Sequence, residues 1–366
     1  MSQTQTVILA IGAFQGFLLF LLLVSDKRVN YASRLLGILC LFIATTFVLP
    51  LIVAAGKSHF SWLIGFLVFL PACYNGLTYL YCRTAITGSS LKPIDILHLL
   101  PLAVCYLLNY DILFAPEKAL SFVRMPETTL LKHTLTKIVF YGQAVVYLVL
   151  LIEMVRRYQS KAKQTLSSYN PDIFKWLWSL IGFMASIWLL KILSYFIIES
   201  PTVTVLADFL LVVLVYFVAI AQWRNPKLFQ IRQLSAQLEH STPSGDKQES
   251  RGVLDQDTRS SILHLVQKQV KEKALYRDSE LTLATLADQI GVSIHQLSET
   301  LNQFGGKNFN QFINEYRVDE VCQQLDKNSK RKLIDMALEA GFSSKSSFNA
   351  TFKKLTGLTP SQYRQQ

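Results

Sequence analysis

The chain has 366 residues, 36 Lys+Arg against 25 Asp+Glu, a formal net charge of +11, and 51% hydrophobic but only 17% charged residues. Such an apolar excess excludes a disordered chain and an ordinary soluble globule, and the length leaves room for two or three domains. Charge is uneven: residues 1–222 are apolar runs with sparse ions, whereas residues 223–366 mix both signs as a soluble domain does.

Seven apolar runs follow one another, each of a length able to cross roughly 30 Å of hydrocarbon. They are Val7–Val24, Leu35–Ala55, Phe60–Cys82, Ile94–Leu113, Ile138–Val155, Leu177–Ile198 and Val203–Gln222. The fourth is the weakest, interrupted by His98 and Pro101, and Pro71 is placed to kink the third. The first does not read as a cleaved leader, because Lys27 and Arg28 follow it rather than precede it. With the N-terminus outside, the inner segments hold 13 Lys+Arg and the outer segments 5, so basic-residue bias predicts N-out and C-in. Trp62 at the outer end, and Trp176, Trp178 and Trp223 at the inner end, suit an interfacial belt.

Ions inside such runs are costly. Lys191 and Asp208 lie at matching depths in runs six and seven, which a connection of a few residues makes antiparallel neighbours. They are expected to pair, as a switch element or as structure. Gln15, Tyr74, Asn75, Gln143 and Tyr216 could line a cavity, or simply bond between helices. No outer segment is long enough for a sensory domain, so a signal would enter through the bundle, a partner or the lipid. Cys40, Cys73, Cys82, Cys105 and Cys322 form no Cys-x-x-Cys pair and read as apolar fillers.

After the seventh run, Leu228, Ile231, Leu234 and Leu238 suggest a short juxtamembrane helix, followed by a polar linker through Gly252. Residues 1–225, 226–252 and 253–366 are thus expected as membrane domain, connection and soluble domain. Asp257 can cap a helix through Ala274 whose apolar stripe is Ile262, Leu263, Val266 and Val270.

Two helix-turn-helix units come next, about 283–304 and 333–355. In the first, Leu283, Leu286, Ala287 and Ile290 share one face, Gly291-Val292-Ser293 turns, and Ile294–Phe304 forms the second helix. In the second, Leu333–Ala340 is followed by Gly341-Phe342-Ser343 and by Ser344–Leu355, with Phe348 and Phe352 inward. A helix from Phe309 to Leu325 joins the units, and Thr359-Pro360 opens a last short helix.

The run Ala337-Leu338-Glu339-Ala340-Gly341-Phe342-Ser343, then Phe348, then Phe352 through Arg364 with its Thr356-Gly357-Leu358-Thr359-Pro360 core, resembles the signature of the AraC/XylS family of bacterial transcription regulators. The resemblance covers about 100 residues. It implies two recognition helices entering successive major grooves of double-stranded DNA, and it leans toward activation of transcription. The DNA-binding part would then face the cytoplasm of a multi-pass protein in a bacterial inner membrane, in agreement with the C-in orientation. The fold class expected is all-α: a seven-helix membrane bundle followed by an AraC-type domain.

By spacing, base edges would be read by His295, Ser298, Glu299 and Asn302 in the first unit and by Lys345, Ser346, Asn349 and Ala350 in the second. Asn can pair two adenine atoms, and Glu can accept from cytosine N4. Many relatives carry Arg where this chain has Glu299 or Ala350, a departure that bears on base preference. Lys330, Arg331, Lys332, Lys353 and Lys354 suit phosphates, which position without specifying. A homodimer would raise the effective concentration of two weak readers. The histidines are scattered, and neither a Walker loop, a dinucleotide fingerprint nor a nucleophile–base pair is present, so no cofactor, metal or catalytic residue is expected. The rival reading is a membrane receptor or transporter whose helical tail docks a protein; an intramembrane enzyme is less favoured for want of a catalytic constellation.

Overall fold

The structure is a computed structural model that describes residues 3–25, 31–55, 61–115, 118, 131–167, 171–194, 201–224, 256–327 and 331–365. The expected juxtamembrane helix at 228–238 and the linker through 252 lie outside these residues. The chain divides into two compact units: Met1–Val155 with Trp176–Arg232, and Arg156–Lys175 with Gln233–Gln366. Among the described residues both are helical, and a lone antiparallel bridge joins Leu166 and Thr282.

The first unit holds α1 (Gln3–Ser25), α2 (Tyr31–Ala55), α3 (Ser61–Leu67), α4 (Tyr74–Thr87), α5 (Leu100–Leu108), α6 (Tyr110–Leu113), most of α7 (Leu131–Thr165), nearly all of α8 (Pro171–Leu193), and α9 (Pro201–Arg224). Among the described residues five stretches are long and apolar enough to cross a membrane: Thr6–Ser25, Tyr31–Val53, Leu63–Thr87, Leu131–Thr165 and Pro171–Leu193. Pro93–Leu108 and Val205–Ala221 are shorter apolar helices.

The third and fourth runs are not simple rods. Pro71, which has no N–H to give, sits in a 3-10 turn (Leu70–Cys73) that separates α3 from α4. The fourth run breaks into a 3-10 segment (Pro93–Leu99), α5 and α6, with Pro93 and Pro101 each in a first turn. α1 and α2 pack closely: a Cβ at Gly16 would stand 2.9 Å from both Ala44 Cβ and Cys40 O. Small residues at such a crossing let two apolar helices meet through backbone, which is how helices associate where burial from water supplies no drive.

The second unit holds α10 (Gln256–Glu272), α11 (Leu283–Ile290), α12 (Ile294–Glu299), α13 (Phe309–Asp326), α14 (Leu333–Glu339), α15 (Lys345–Thr356) and α16 (Pro360–Tyr363). Asp257 lies in the first turn of α10 rather than at its cap, a place where its negative charge is favoured by the positive end of the helix dipole. Two small cores share α13. Its N-terminal half (Phe309, Phe312, Ile313) closes over Val266 and Val270 of α10 and over Leu286, Leu297 and Leu301. Its C-terminal half (Val318, Val321, Leu325) closes over Met336, Ala337, Phe342, Phe348 and Phe352.

Candidate nucleic-acid interface

Each unit is set by its turn and its caps. Gly291 and Gly341 adopt φ of 72° and 98°, where a side chain is strained. At Gly341 there is also no room, because a Cβ would collide with Tyr276 O and stand 2.8 Å from Arg277 O. Ser293 Oγ accepts from Gln296 N at 3.2 Å and starts α12; Ser344 Oγ accepts from Ser347 N at 3.2 Å and starts α15. Such caps each contribute about 1 kcal/mol to the helix they open.

The two recognition helices differ. α12 is α-helical only to Glu299, after which Thr300–Phe304 forms a wider π turn. Gly305 ends it, where a Cβ would lie 2.8 Å from Leu301 O. On this helix His295 is 88% exposed. Asn302 donates to Ser298 O (2.8 Å) and Ser298 Oγ (3.3 Å). Glu299 is engaged by Arg259 of α10, Nη2 to Oε1 at 2.5 Å, and only 17% exposed. Reading cytosine would require this carboxylate to leave that pair. Arg259 lies 40 residues upstream and was not a sequence candidate.

α15 is regular over 12 residues and buries Phe348 and Phe352. Its outer face shows Lys345, Asn349, Ala350, Lys353 and Lys354 exposed, with Ser346 half-exposed and 3.2 Å from Ser344 Oγ. None of these lysines makes an ion pair among the described residues. Lys354 also borders an open depression of about 230 Å³ with Lys307, Asn310 and Thr351. Lys332 is exposed at the start of α14, Arg331 is engaged by Glu339, and Lys330 lies outside the described residues.

Arg317 of α13 was also missed by sequence reasoning. It is fully buried, and burial pushes its pKa down to about 9, so it stays charged at neutral pH. Nε donates to Tyr276 O (2.7 Å), and Nη2 to Asp278 O (2.8 Å) and Ser167 Oγ (3.0 Å). Nη1 donates to Ser167 O (2.9 Å) and Asn314 Oδ1 (3.2 Å). Its guanidinium lies 5.9 Å from the centroid of Phe342. Beside it Glu320 grips Arg277, Oε2 accepting from Nε at 3.0 Å, which raises the Arg277 pKa.

In the first unit Lys191 Nζ lies 2.7 Å from Asp208 Oδ1, with side chains 25% and 32% exposed. Three of the polar residues of the runs, Tyr74, Asn75 and Gln143, bond between helices. Tyr74 OH donates to Phe42 O at 2.8 Å, and Asn75 Nδ2 to Gln143 Oε1 at 3.3 Å. Sequence reasoning did not foresee Arg83 holding Asp95 through two 2.6 Å bonds, or His98 Nδ1 lying 2.7 Å from Tyr147 OH. Trp176, expected at the interface, is buried and donates to Tyr81 OH at 2.6 Å. Among the described residues no cluster suits a metal ion.

Residues 286–366 match a family model described as a helix-turn-helix domain. Over 90 residues the chain is 36% identical to an uncharacterized HTH-type transcriptional regulator of Staphylococcus aureus (strain COL), covering 25% of this chain and 12% of that protein. A second relative, from strain MRSA252, is equally similar. Over 94 residues the chain is 29% identical to a probable transcription factor PqrA of Proteus vulgaris, covering 26% of this chain and 76% of that one. The chain thus spans only about an eighth of the staphylococcal relatives it matches. No solved structure matches. The C-terminal part is therefore a helix-turn-helix domain similar to those of transcription regulators, and several apolar helices precede it.

Proposed function

We propose that the chain is a membrane-embedded, one-component transcription regulator. Seven membrane helices, N-out and C-in in a bacterial inner membrane, take up a signal from a small molecule or the bilayer. The cytoplasmic domain binds promoter double-stranded DNA, as an activator and as a homodimer. The observation that carries the reading is the outer face of α15, where Lys345, Asn349, Ala350 and Lys353 are exposed and, among the described residues, make no ion pair. Asn349 is suited to adenine, the Ala350 methyl to thymine, and Lys345, Lys353 and Lys354 to phosphates. On α12, His295 and Asn302 supplement this, while Glu299 serves chiefly to seat the helix on α10. Lys191 and Asp208 hold two membrane helices in register, and a signal that separates them changes the bundle's state.

The test is DNA binding by the purified full chain in lipid nanodiscs across a salt series. Counter-ion release predicts affinity falling log-linearly with salt. Lys353→Ala should reduce that slope by about 1, and Asn349→Ala should cost about 1–3 kcal/mol at one base position. Salt-independent or absent binding would instead favour a tail that docks a protein.

A further inference from the structure

The second unit is not made only of the chain that follows the membrane runs. It includes residues 156–175, which take in the end of α7, the connection after it and the start of α8. Within it Ala162, Leu166 and Ser167 are almost wholly buried. The attachment is polar and specific. Leu166 bridges Thr282, and Ser167 N donates to Leu281 O at 3.3 Å. Asn310 Nδ2 donates to Leu166 O at 3.0 Å and Ser167 O at 2.9 Å. Arg317 adds its two bonds to Ser167 O and Oγ.

Two points give these contacts a direction. Thr282 is the cap of α11: its Oγ1 accepts from Thr285 N at 3.1 Å. Whatever holds residue 282 therefore holds the start of the first helix-turn-helix. Asn310 and Arg317 are seven residues apart, on one face of the shared helix α13. Among the acceptors of the Arg317 guanidinium, two are on Ser167, its O and its Oγ. A buried guanidinium deprived of two acceptors is costly, so this site is built to keep residue 167 in place. The other end of the attachment is α7, one continuous helix from Leu131 to Thr165, which passes from the first unit to the second between Val155 and Arg156. Leu166 follows its last residue directly.

We infer that residues 162–167 are a clip by which α7 controls the first helix-turn-helix unit. Its existence stands on the geometry above; its effect on DNA rests on the function proposed in the preceding subsection. A shift of α7 along or about its axis moves Leu166 and Ser167 against Thr282, Asn310 and Arg317. The clip is then engaged or released, and α11 and α12 are held or freed. The inner connection after α7 is thus an output element rather than a passive loop.

The test uses the full chain in its membrane. Leu166→Cys with Thr282→Cys places two thiols at an antiparallel bridge, a spacing that a disulfide can span. Oxidation should give an intrachain cross-link in most molecules, and neither cysteine alone should. No cross-link above the single variants would overturn the clip. In parallel, Asn310→Ala removes two clip bonds without touching either core. At equal membrane abundance, promoter occupancy should change by about 5–150-fold, the usual range of coupling between sites, and the disulfide should fix occupancy at one level. A cross-link that forms while occupancy ignores both changes would overturn the regulatory role. Occupancy absent in every variant, with the cross-link formed, would strike the DNA reading and leave the attachment standing.

Discussion

The two helix-turn-helix units share a plan and differ in what surrounds them. The first is backed on several sides. α10 covers its core, Arg259 holds Glu299, and residues 166–167 are bonded to the chain just before α11. Its recognition helix is short, ends in a π turn, and spends Asn302 on its own backbone. The second has a core of its own half of α13, an aromatic run of Phe342, Phe348, Phe352 and Tyr363 in edge-to-face contact, and an uncommitted outer face. Repetition of a motif therefore does not mean repetition of a role. The first unit is held by its surroundings, and the second leaves the outer face of its second helix open.

That contrast can be broken most forcefully at Arg317. Arg317→Ala would strand several buried carbonyls, at a cost on the order of 3–5 kcal/mol. Hydrogen exchange on the membrane-embedded chain should show 166–167, 276–278 and α11 losing protection together. Protection lost only around Phe342 would put the hub in the second unit instead. Phe352→Ala should cost about 3–5 kcal/mol of local stability by leaving a cavity. Exchange should rise in α14–α16 while α10–α12 stay protected; a uniform rise would mean that the two cores open as one.

A smaller effect is expected at Glu299. With both side chains largely buried, Glu299→Ala should cost about 1.5–3 kcal/mol through the lost Arg259 bond, without altering base preference. A changed cytosine preference in a selection from random DNA would return Glu299 to the readers. The smallest effect is at the exposed Arg331–Glu339 pair. Arg331 holds the Glu339 carboxyl below its ordinary range, so the unfolded chain takes up the proton first as pH falls. The contribution is present above that range, disappears as pH falls through it, and should be abolished by Glu339→Gln in acid titrations of local exchange.

What the sequence shows and what it hides divide along the same physical line. Features repeating at three and four residues are local, so Leu283, Leu286 and Ala287, the caps at Ser293 and Thr359, and the glycine turns can be read directly. The Lys191–Asp208 pair could be anticipated because a short connection makes its helices neighbours. Contacts between distant segments carry no such signal. Nothing near Glu299 announces Arg259, and nothing near Ser167 announces Arg317, 150 residues away. The fourth run shows the opposite trap: its composition reads as one span, but Pro101 and the turn at Asn109 divide it.

The most direct measurement is genome-wide occupancy of the intact membrane-embedded protein beside the Asn349→Ala, Lys353→Ala double variant. Discrete promoter peaks that vanish in the double variant are the predicted result, since both side chains belong to the open face of α15. Peaks that persist unchanged in the double variant, or no peaks with the intact protein under any growth condition, would contradict the account.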